Sequence, residues 1–419
     1  MQKANRDIDG GIATIDQQLE NAARAFGTPT YVYFTDAIEA RVQRLQAAFG
    51  GRFALSYAAK SNPNPGLLSW LKAHVAFLDV SSIGELRLGI GAGWDGKRAS
   101  FTGPGKREFE LREAIESGVG ELVVESVREA IAADRIAALL GRVQDVMIRI
   151  APARVPKGFG DQMAGRPVAF GIDVECMHDE LPKIFALANL RVMGLHIYSG
   201  TQCLKPDAIS ENYRTFIAVF REVSERYGLS PEKLVFGSGL GIPYHNGDEP
   251  LDLEAVASGI VGELDELKGE PRFSGTQFVL ELGRYLVGEA GYFLTRVISV
   301  KASRGSRIAI CDGGMNNHLP ASGHFGMVIH RNYLMHKVSG GDAAIEKVDL
   351  VGPLCTSIDR LASGVMLPRV EEGDLIAVHG SGAYGLTASP IHFISHAAPR
   401  EVLVDQYGQH DVTRAFGAV

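Results

Sequence analysis

Between residues 53 and 126 the chain reads FALSYAAK (53–60), AFLDVSS (76–82), ASFTG (99–103) and ELVVES (121–126). Each is a short apolar run stopped by Ser, Gly or a charge, the pattern of a strand buried on both faces in a parallel sheet. Outward from there the pattern returns in VMIRIA (146–151), VMGLHIYSG (192–200), KLVFGSG (233–239) and QFVLELGR (277–284). Amphipathic stretches such as KREFELREAIESG and SVREAIAADRIAALL lie between them and predict helices. Eight strands with intervening helices over about 230 residues fit a (β/α)8 barrel. A doubly wound open sheet is the competing architecture, and the count of eight favours the barrel. After about residue 285 helical periodicity fades, and short alternating runs (RIAICDGG, DLIAVHG, EVLVDQYG) follow between Gly and Pro turns. The expected organisation is an α/β chain. The barrel covers 36–282, and an all-β domain is built from 283–419 together with a helix and a strand from 1–35.

The 419 residues are 46% apolar and 22% charged, with a net charge of −7 and no basic block. That composition points away from nucleic acid and anionic membrane as partners. No run approaches the roughly 18 apolar residues of a membrane span, and MQKANRDIDGGIATIDQQ has no apolar core of a signal peptide. The four cysteines, Cys176, Cys203, Cys311 and Cys355, show no C-x-x-C pairing. Reduced thiols and a cytoplasmic location are expected.

Active-site groups of such a barrel sit at the C-terminal ends of its strands. Here those ends carry Lys60, Asp79 and Ser82, His196 with Ser199, the loop Gly237–Ser238–Gly239–Leu240–Gly241, and Glu281 with Gly283 and Arg284. A lysine desolvated behind an apolar strand can act as a nucleophilic amine, although a strand-end lysine is more often a solvated rim charge. A glycine-rich loop after strand seven suits a phosphate, with a plain tight turn as the equal alternative. Glu281 could face a ring nitrogen or merely pair with Arg284, and a lone strand histidine is more often a satisfied core group. His318, His324 and His330 are spaced for no known zinc pattern, so no metal is expected.

Together these pieces resemble the fold-type III decarboxylases that use pyridoxal 5'-phosphate (PLP), the group of diaminopimelate, ornithine and arginine decarboxylases. The matching segments are YAAKSN around Lys60, DVSSIGEL from Asp79, HIYSGTQ from His196, GSGLGIPY from Gly237, ELGR from Glu281, GPLCTSID around Cys355 and GAYG at Tyr384. The resemblance implies a PLP barrel plus a β domain, working as a homodimer with shared active sites. It implies that Lys60 anchors the cofactor and His196 stacks on its ring. Gly237, Ser238, Gly239 and Gly241 would cradle the phosphate, and Glu281 would hold the ring nitrogen. Asp79, Ser199 and Gly283 would line the cofactor, and Arg284 would touch phosphate or substrate. Cys355 and Tyr384 would come from the partner subunit, Cys355 as the acid that returns a proton to carbon.

The substrate is where the chain departs from the larger groups. Diaminopimelate decarboxylases carry Cys-Glu-Ser where this chain has Cys355-Thr356-Ser357, and Thr356 brings no negative charge for a distal ammonium. TASPIHFISH replaces their Asn-Tyr-Asn ending, and GGMNNHLPASGHFGMVIHRNYLM is unlike the ornithine enzymes. GGMNNHLPASGHFG, RNY, GPLCTSID and GAYGLTASP look closer to a subgroup tied to exopolysaccharide and natural-product clusters. Some of its members act on amino acids attached to a carrier protein. The expected substrate is therefore glutamate or a related amino acid on a carrier, with Arg331, Tyr333, Thr356 and Asp359 as substrate contacts. The alternatives are diaminopimelate in lysine synthesis, a PLP racemase, which Glu281 argues against, and a non-catalytic decarboxylase-like regulator.

Overall fold

The computed structural model describes residues 14–414 apart from 326, 328, 329 and 342. The chain divides into two compact units: Glu39–Ile242 with Glu249–Tyr285, and the described parts of Met1–Ile38, Pro243–Asp248 and Leu286–Ala418. The described chain opens with α1 (Ile15–Phe26) and β1 (Thr30–Phe34), both in the second unit.

The first unit is a closed parallel barrel. Its strands are β2 (Ala54–Ala58), β3 (Phe77–Val80), β4 (Ala99–Phe101), β5 (Glu121–Val124), β6 (Gln144–Ala151), β7 (Leu190–Ile197), β8 (Lys233–Gly237) and β9 (Gln277–Leu282). Sequence neighbours pair in parallel around the ring, and β9 pairs with β2 to close it. All eight runs expected from the sequence are thus strands. The competing open sheet is ruled out by the β9–β2 ladder. Helices cover the outside, among them α2 (Glu108–Glu116), α3 (Val127–Leu139) and α4 (Pro206–Arg226). α3 starts where the Ser126 side chain accepts from Glu129 N, and it buries Ala130, Ala133, Ile136 and Ala137. α4 buries Ile209, Tyr213, Phe216 and Phe220, the three-and-four spacing of one apolar face.

The period-2 alternation of strands stacks the barrel interior in layers. Val123, Met147, Val235 and Val279, from four different strands, form a dry middle layer. Two residues toward the N-terminal ends lies a buried ion pair, Lys233 Nζ to Glu121 Oε1 at 2.6 Å. Two residues toward the C-terminal ends, the same alternation gives Glu125, Arg149, Gly237 and Glu281, with Asp79 and His196 in register beside them. The apolar layer makes a floor, and the polar layer above it is the barrel's mouth.

The second unit is built on a sheet. Its further strands are β10 (Gly291–Ser303), β11 (Ser306–Cys311), β12 (Met335–Lys337), β13 (Ile345–Val351), β14 (Arg360–Pro368), β15 (Leu375–Val378), β16 (Arg400–Asp405) and β17 (Gly408–Asp411). The order is β14-β13-β11-β10-β1-β16-β17, with β15 paired to β10 and β12. β1 lies antiparallel to β10 and parallel to β16. The N-terminal segment therefore supplies a helix and a strand to this unit. Leu19, Ala22, Val32, Leu294, Ala377 and Val402 join in its core.

Candidate active site

Lys60 sits in a single 3-10 turn, Ala59–Ser61, directly after β2. The sequence SNPNP makes that turn rigid. Ser61 Oγ donates to Ala58 O at 2.9 Å, and Tyr57 OH donates to Asn62 O at 2.8 Å. Asn62 Oδ1 accepts from Asn64 N at 3.1 Å, and Asn64 then caps the next helix by accepting from Gly66 N and Leu67 N. Pro65 occupies the first helical position, where its missing N–H costs nothing. The lysine side chain is one third exposed at 33%, and its Nζ lies 3.9 Å from Glu281 Oε1 and 5.3 Å from the centre of the Tyr198 ring.

Around it the polar layer is interlocked. His196 Nε2 lies 2.8 Å from Glu281 Oε2, both side chains being fully buried. Burial alone would raise the Glu281 carboxyl. The His196 hydrogen bond, with the charges of His196, Lys60 and Arg149, outweighs it and holds the group down to about 2. Glu281 is therefore a carboxylate, so His196 Nε2 carries the proton between them. Asp79 is treated oppositely. Burial and the nearby Glu281 charge push its carboxyl well up, against the pull of Lys60 and a short hydrogen bond from Thr102 Oγ1. Ser100 Oγ also donates to Asp79 Oδ1, at 3.3 Å.

Two buried charges that sequence reasoning passed over complete the layer. Arg149 Nη1 donates to both oxygens of Glu125 at 3.1 Å, and Arg149 Nη2 donates to Tyr198 O at 3.3 Å. Glu125 also accepts from Gly103 N at 2.7 Å and Gly171 N at 2.9 Å. One ion pair thus ties together the segments at Gly103, Gly171 and Tyr198. The signal was present as charges inside or just after the apolar runs VMIRIA and ELVVES. A charge is not buried in such a strand without a partner.

The glycine loop follows β8. A Cβ at Gly237 would strike the Tyr198 ring. Gly239 has φ +66°, and a Cβ there would lie 2.5 Å from Phe159 Cε1. One at Gly241 would lie 2.9 Å from Cys203 O. The loop is fixed by Ser238 N donating to Glu281 O at 3.1 Å, Gly241 N to Cys203 O at 2.9 Å, and Cys203 N to Gly239 O at 3.0 Å. These bonds leave the N–H groups of Gly239 and Leu240 for an anion. Ser199 Oγ donates to Asn212 Oδ1 at 2.8 Å, and Tyr213 OH to Ser238 O at 2.8 Å, bracing the loop from α4. Gly283 fits against Ser61, with Cβ room of only 3.1 Å, and half-buried Arg284 opens a short helix, Arg284–Val287. The barrel therefore gathers Lys60, Asp79, His196, Ser199, the Gly237–Gly241 loop, Glu281, Gly283 and Arg284 at one end.

The remaining expected residues lie in the β unit. Cys355 is a free, exposed thiol, as Cys176 is exposed and Cys203 and Cys311 are buried, all unbridged. Its turn is pinned by Asp359, whose two oxygens accept from Met315 N at 2.7 Å and Leu354 N at 2.8 Å. Thr356 N donates to Leu354 O in the same turn. Tyr384 adopts φ +59°. Arg331 Nη2 donates to Asp248 Oδ1 at 2.9 Å and Asn246 O at 3.1 Å, with the guanidinium half-exposed. Tyr333 is buried in an aromatic cluster with Tyr244, His245 and His318. His318 accepts from Ala321 N and meets Ser381 Oγ at 3.0 Å, and burial lowers it to about 3. Among the described residues no three His, Cys, Asp or Glu side chains gather as a metal site.

The barrel mouth suits PLP on its own atoms. Among the described residues Asp79 Oδ2 and His196 Nδ1 are buried without a hydrogen-bond partner, Glu281 is an anion beside them, and the Gly239 and Leu240 N–H groups meet no backbone acceptor. A lysine beside a buried acid, with an anion loop on the same barrel end, is the site of an enzyme that binds a phosphorylated carbonyl cofactor. Comparison with known proteins makes the class definite. Residues 35–288 match the family model "Pyridoxal-dependent decarboxylase, pyridoxal binding domain". The chain is 34% identical over 411 residues to the L-glutamyl-[BtrI acyl-carrier protein] decarboxylase of Niallia circulans, covering 96% of this chain and 95% of that one. It is 33% identical over 404 residues to the diaminopimelate decarboxylase of Methanothermobacter thermautotrophicus, covering 94% and 90%. Its fold superposes on diaminopimelate decarboxylase from M. jannaschii in complex with L-lysine with a TM-score of 0.84 at 26% identity, covering 99% and 94%. The chain belongs to the pyridoxal-dependent decarboxylases of fold type III. It is a carboxy-lyase that removes CO2 from an amino acid with PLP as cofactor.

Proposed function

We propose that the substrate is glutamate, or a closely related amino acid, carried on an acyl- or peptidyl-carrier protein. The observation that carries this reading is the 34% identity, over nearly the full length of both chains, to a decarboxylase named for carrier-linked glutamate. Thr356 supports it, because it offers no charge to the distal ammonium of diaminopimelate. The second reading, diaminopimelate, is favoured by several relatives of that name at 30–33% identity.

In this reading PLP, when bound, supplies the electron sink for the pair left behind as the α-carboxylate departs as CO2. Lys60 would anchor it through its side-chain amine. Glu281, kept anionic by His196, would face the ring nitrogen and favour its protonated form. The Gly237–Gly241 loop and Ser199 position the phosphate, and Asp79 and Gly283 line the ring. Arg284 reaches phosphate or substrate. The chain works as a homodimer. Cys355 and Tyr384 of a second copy complete each site, and Cys355, exposed in its own unit, donates the proton that returns to carbon. Arg331 and Tyr333 serve the distal end of the substrate, with Thr356 and Asp359 shaping that side.

The test offers purified holoenzyme free diaminopimelate, free glutamate and carrier-linked glutamate, and follows the loss of CO2 by mass. Carrier-linked glutamate is expected to turn over. Turnover of diaminopimelate with the carrier-linked substrate untouched overturns the proposal.

A further inference from the structure

A second cleft opens on the barrel unit. It has a volume of about 700 Å³, and its polar lining is Arg154, Lys157, Lys205, Asp207 and Glu211. Its walls are the loop after β6 and the segment between β7 and α4, so it lies at the same C-terminal end as the Lys60 site. The two walls touch: a Cβ at Gly158 would lie 3.0 Å from Lys205 Cδ. The Lys205 wall is also joined to the glycine loop. Cys203, two residues before Lys205, exchanges backbone bonds with Gly239 and Gly241 at 3.0 and 2.9 Å.

The charges in this cleft are unspent. Arg154, Lys157 and Lys205 are exposed and make no ion pair or hydrogen bond through their side chains among the described residues. Asp207 and Glu211, on the first turns of α4, are likewise unpaired among the described residues and neutralise neither Lys205 beside them nor the cations of the other wall. Three free cations stand together on a chain whose net charge is −7. Elsewhere on the barrel, exposed arginines such as Arg44, Arg52, Arg87 and Arg191 are bound to carboxylates. A cleft that holds Arg154 and Lys157 on one wall, with Lys205, Asp207 and Glu211 on the other, suits a ligand that has an anionic group next to N–H donors.

We propose that this cleft is the docking site for the prosthetic arm of the carrier protein, with Arg154, Lys157 and Lys205 binding the arm's phosphodiester. The inference rests on the carrier-linked reading above and adds where that substrate is held. A phosphopantetheine arm has one phosphodiester, for the cations, and two amides, whose N–H groups match Asp207 and Glu211. With the phosphate held on the rim, the arm's acyl end is left to enter the mouth beside the glycine loop.

The experiment compares wild-type holoenzyme with R154E/K157E/K205E on glutamate linked to the carrier protein, to phosphopantetheine and to pantetheine lacking the phosphate. In the variant, KM for the two phosphate-bearing substrates rises at least about tenfold, with kcat within about twofold and KM for the pantetheine substrate unchanged. In wild type, added salt raises KM for the phosphate-bearing substrates alone. The conservative R154K/K157R/K205R keeps wild-type KM. An unchanged KM for the carrier-linked substrate in the charge-reversed enzyme overturns the inference, as does an equal loss on the substrate without phosphate. Wild-type enzyme that cannot turn over carrier-linked glutamate overturns the carrier reading itself, and the docking site with it.

Discussion

Glu281→Gln removes one negative charge from the barrel mouth and keeps the side-chain shape. It also keeps an oxygen to accept from His196 Nε2, which lies 2.8 Å from Glu281 Oε2. The scale of the loss follows from the distance at which Glu281 already meets a cation, 3.9 Å to Lys60 Nζ. At an effective dielectric constant of about 20, such a pair is worth about 4 kcal/mol. Lys60 is one third exposed, so screening removes part of that, leaving about 2 kcal/mol. Each 1.36 kcal/mol is tenfold in rate, so kcat is expected to fall about 30-fold, and about 1000-fold if a protonated ring nitrogen feels the charge in full. The assay is CO2 release at saturating substrate, with the visible band of PLP recorded to show equal loading. A kcat within about threefold of wild type at equal loading refutes the electrostatic role assigned to Glu281. The pH dependence gives a second check. The folded enzyme holds this carboxyl near 2, below its ordinary 4.5, so its ionised form stabilises the fold above 4.5 and that contribution is lost as pH falls toward 2. Glu281→Gln should flatten the acid limb of thermal stability over that window.

Lys60→Ala should lose the covalent PLP band, and borohydride followed by peptide mass mapping should mark Lys60 in wild type only. Arg149→Met leaves the buried Glu125 carboxylate without its cation and should cost roughly 3–5 kcal/mol, read as a drop in thermal midpoint. The double variant R149M/E125Q should recover part of it. Gly239→Ala puts a side chain at φ +66° against the Phe159 ring and should weaken PLP retention at least about tenfold, measured by cofactor titration of the apo-enzyme.

The barrel was legible because burial on both faces leaves little freedom in a strand: all eight runs read from the sequence contain strands, with ends shifted by up to three residues. The β unit was harder. RIAICDGG, DLIAVHG and EVLVDQYG contain β11, β15 and β16, and the N-terminal helix and strand also appear as expected. The paired strands β13 and β14 gave little signal, because the ladder carries Lys347, Ser363 and Gly364 among its apolar residues and exposes Ile345 and Met366. Half-solvated strands with such interruptions do not alternate cleanly. At the mouth, the lysine, histidine and glutamate stood out as chemistry-bearing types at strand ends. Arg149 and Glu125 did not, since each alone reads as a stray charge, and only the register that sets β5 beside β6 shows them to be a pair.

That pair bears on how the lysine proposed as the PLP anchor is placed. In the proposed role Lys60 would need freedom in its side chain, and one third of it is exposed. Everything around it is over-determined instead. Its turn is locked by Ser61, Asn62 and Asn64, and the Tyr198 backbone is held by Arg149. The opposing carboxylate is fixed by His196. Buried ion pairs contribute little net stability when compared with apolar packing, so three of them in one barrel, Lys106–Glu129, Arg149–Glu125 and Lys233–Glu121, call for another benefit. Two of the three lie toward the mouth, where Glu129 and Glu125 also bind backbone N–H groups and Lys106 binds two carbonyls. Their effect is to tie down the loops on which the site is built, around a lysine whose side chain keeps access to solvent.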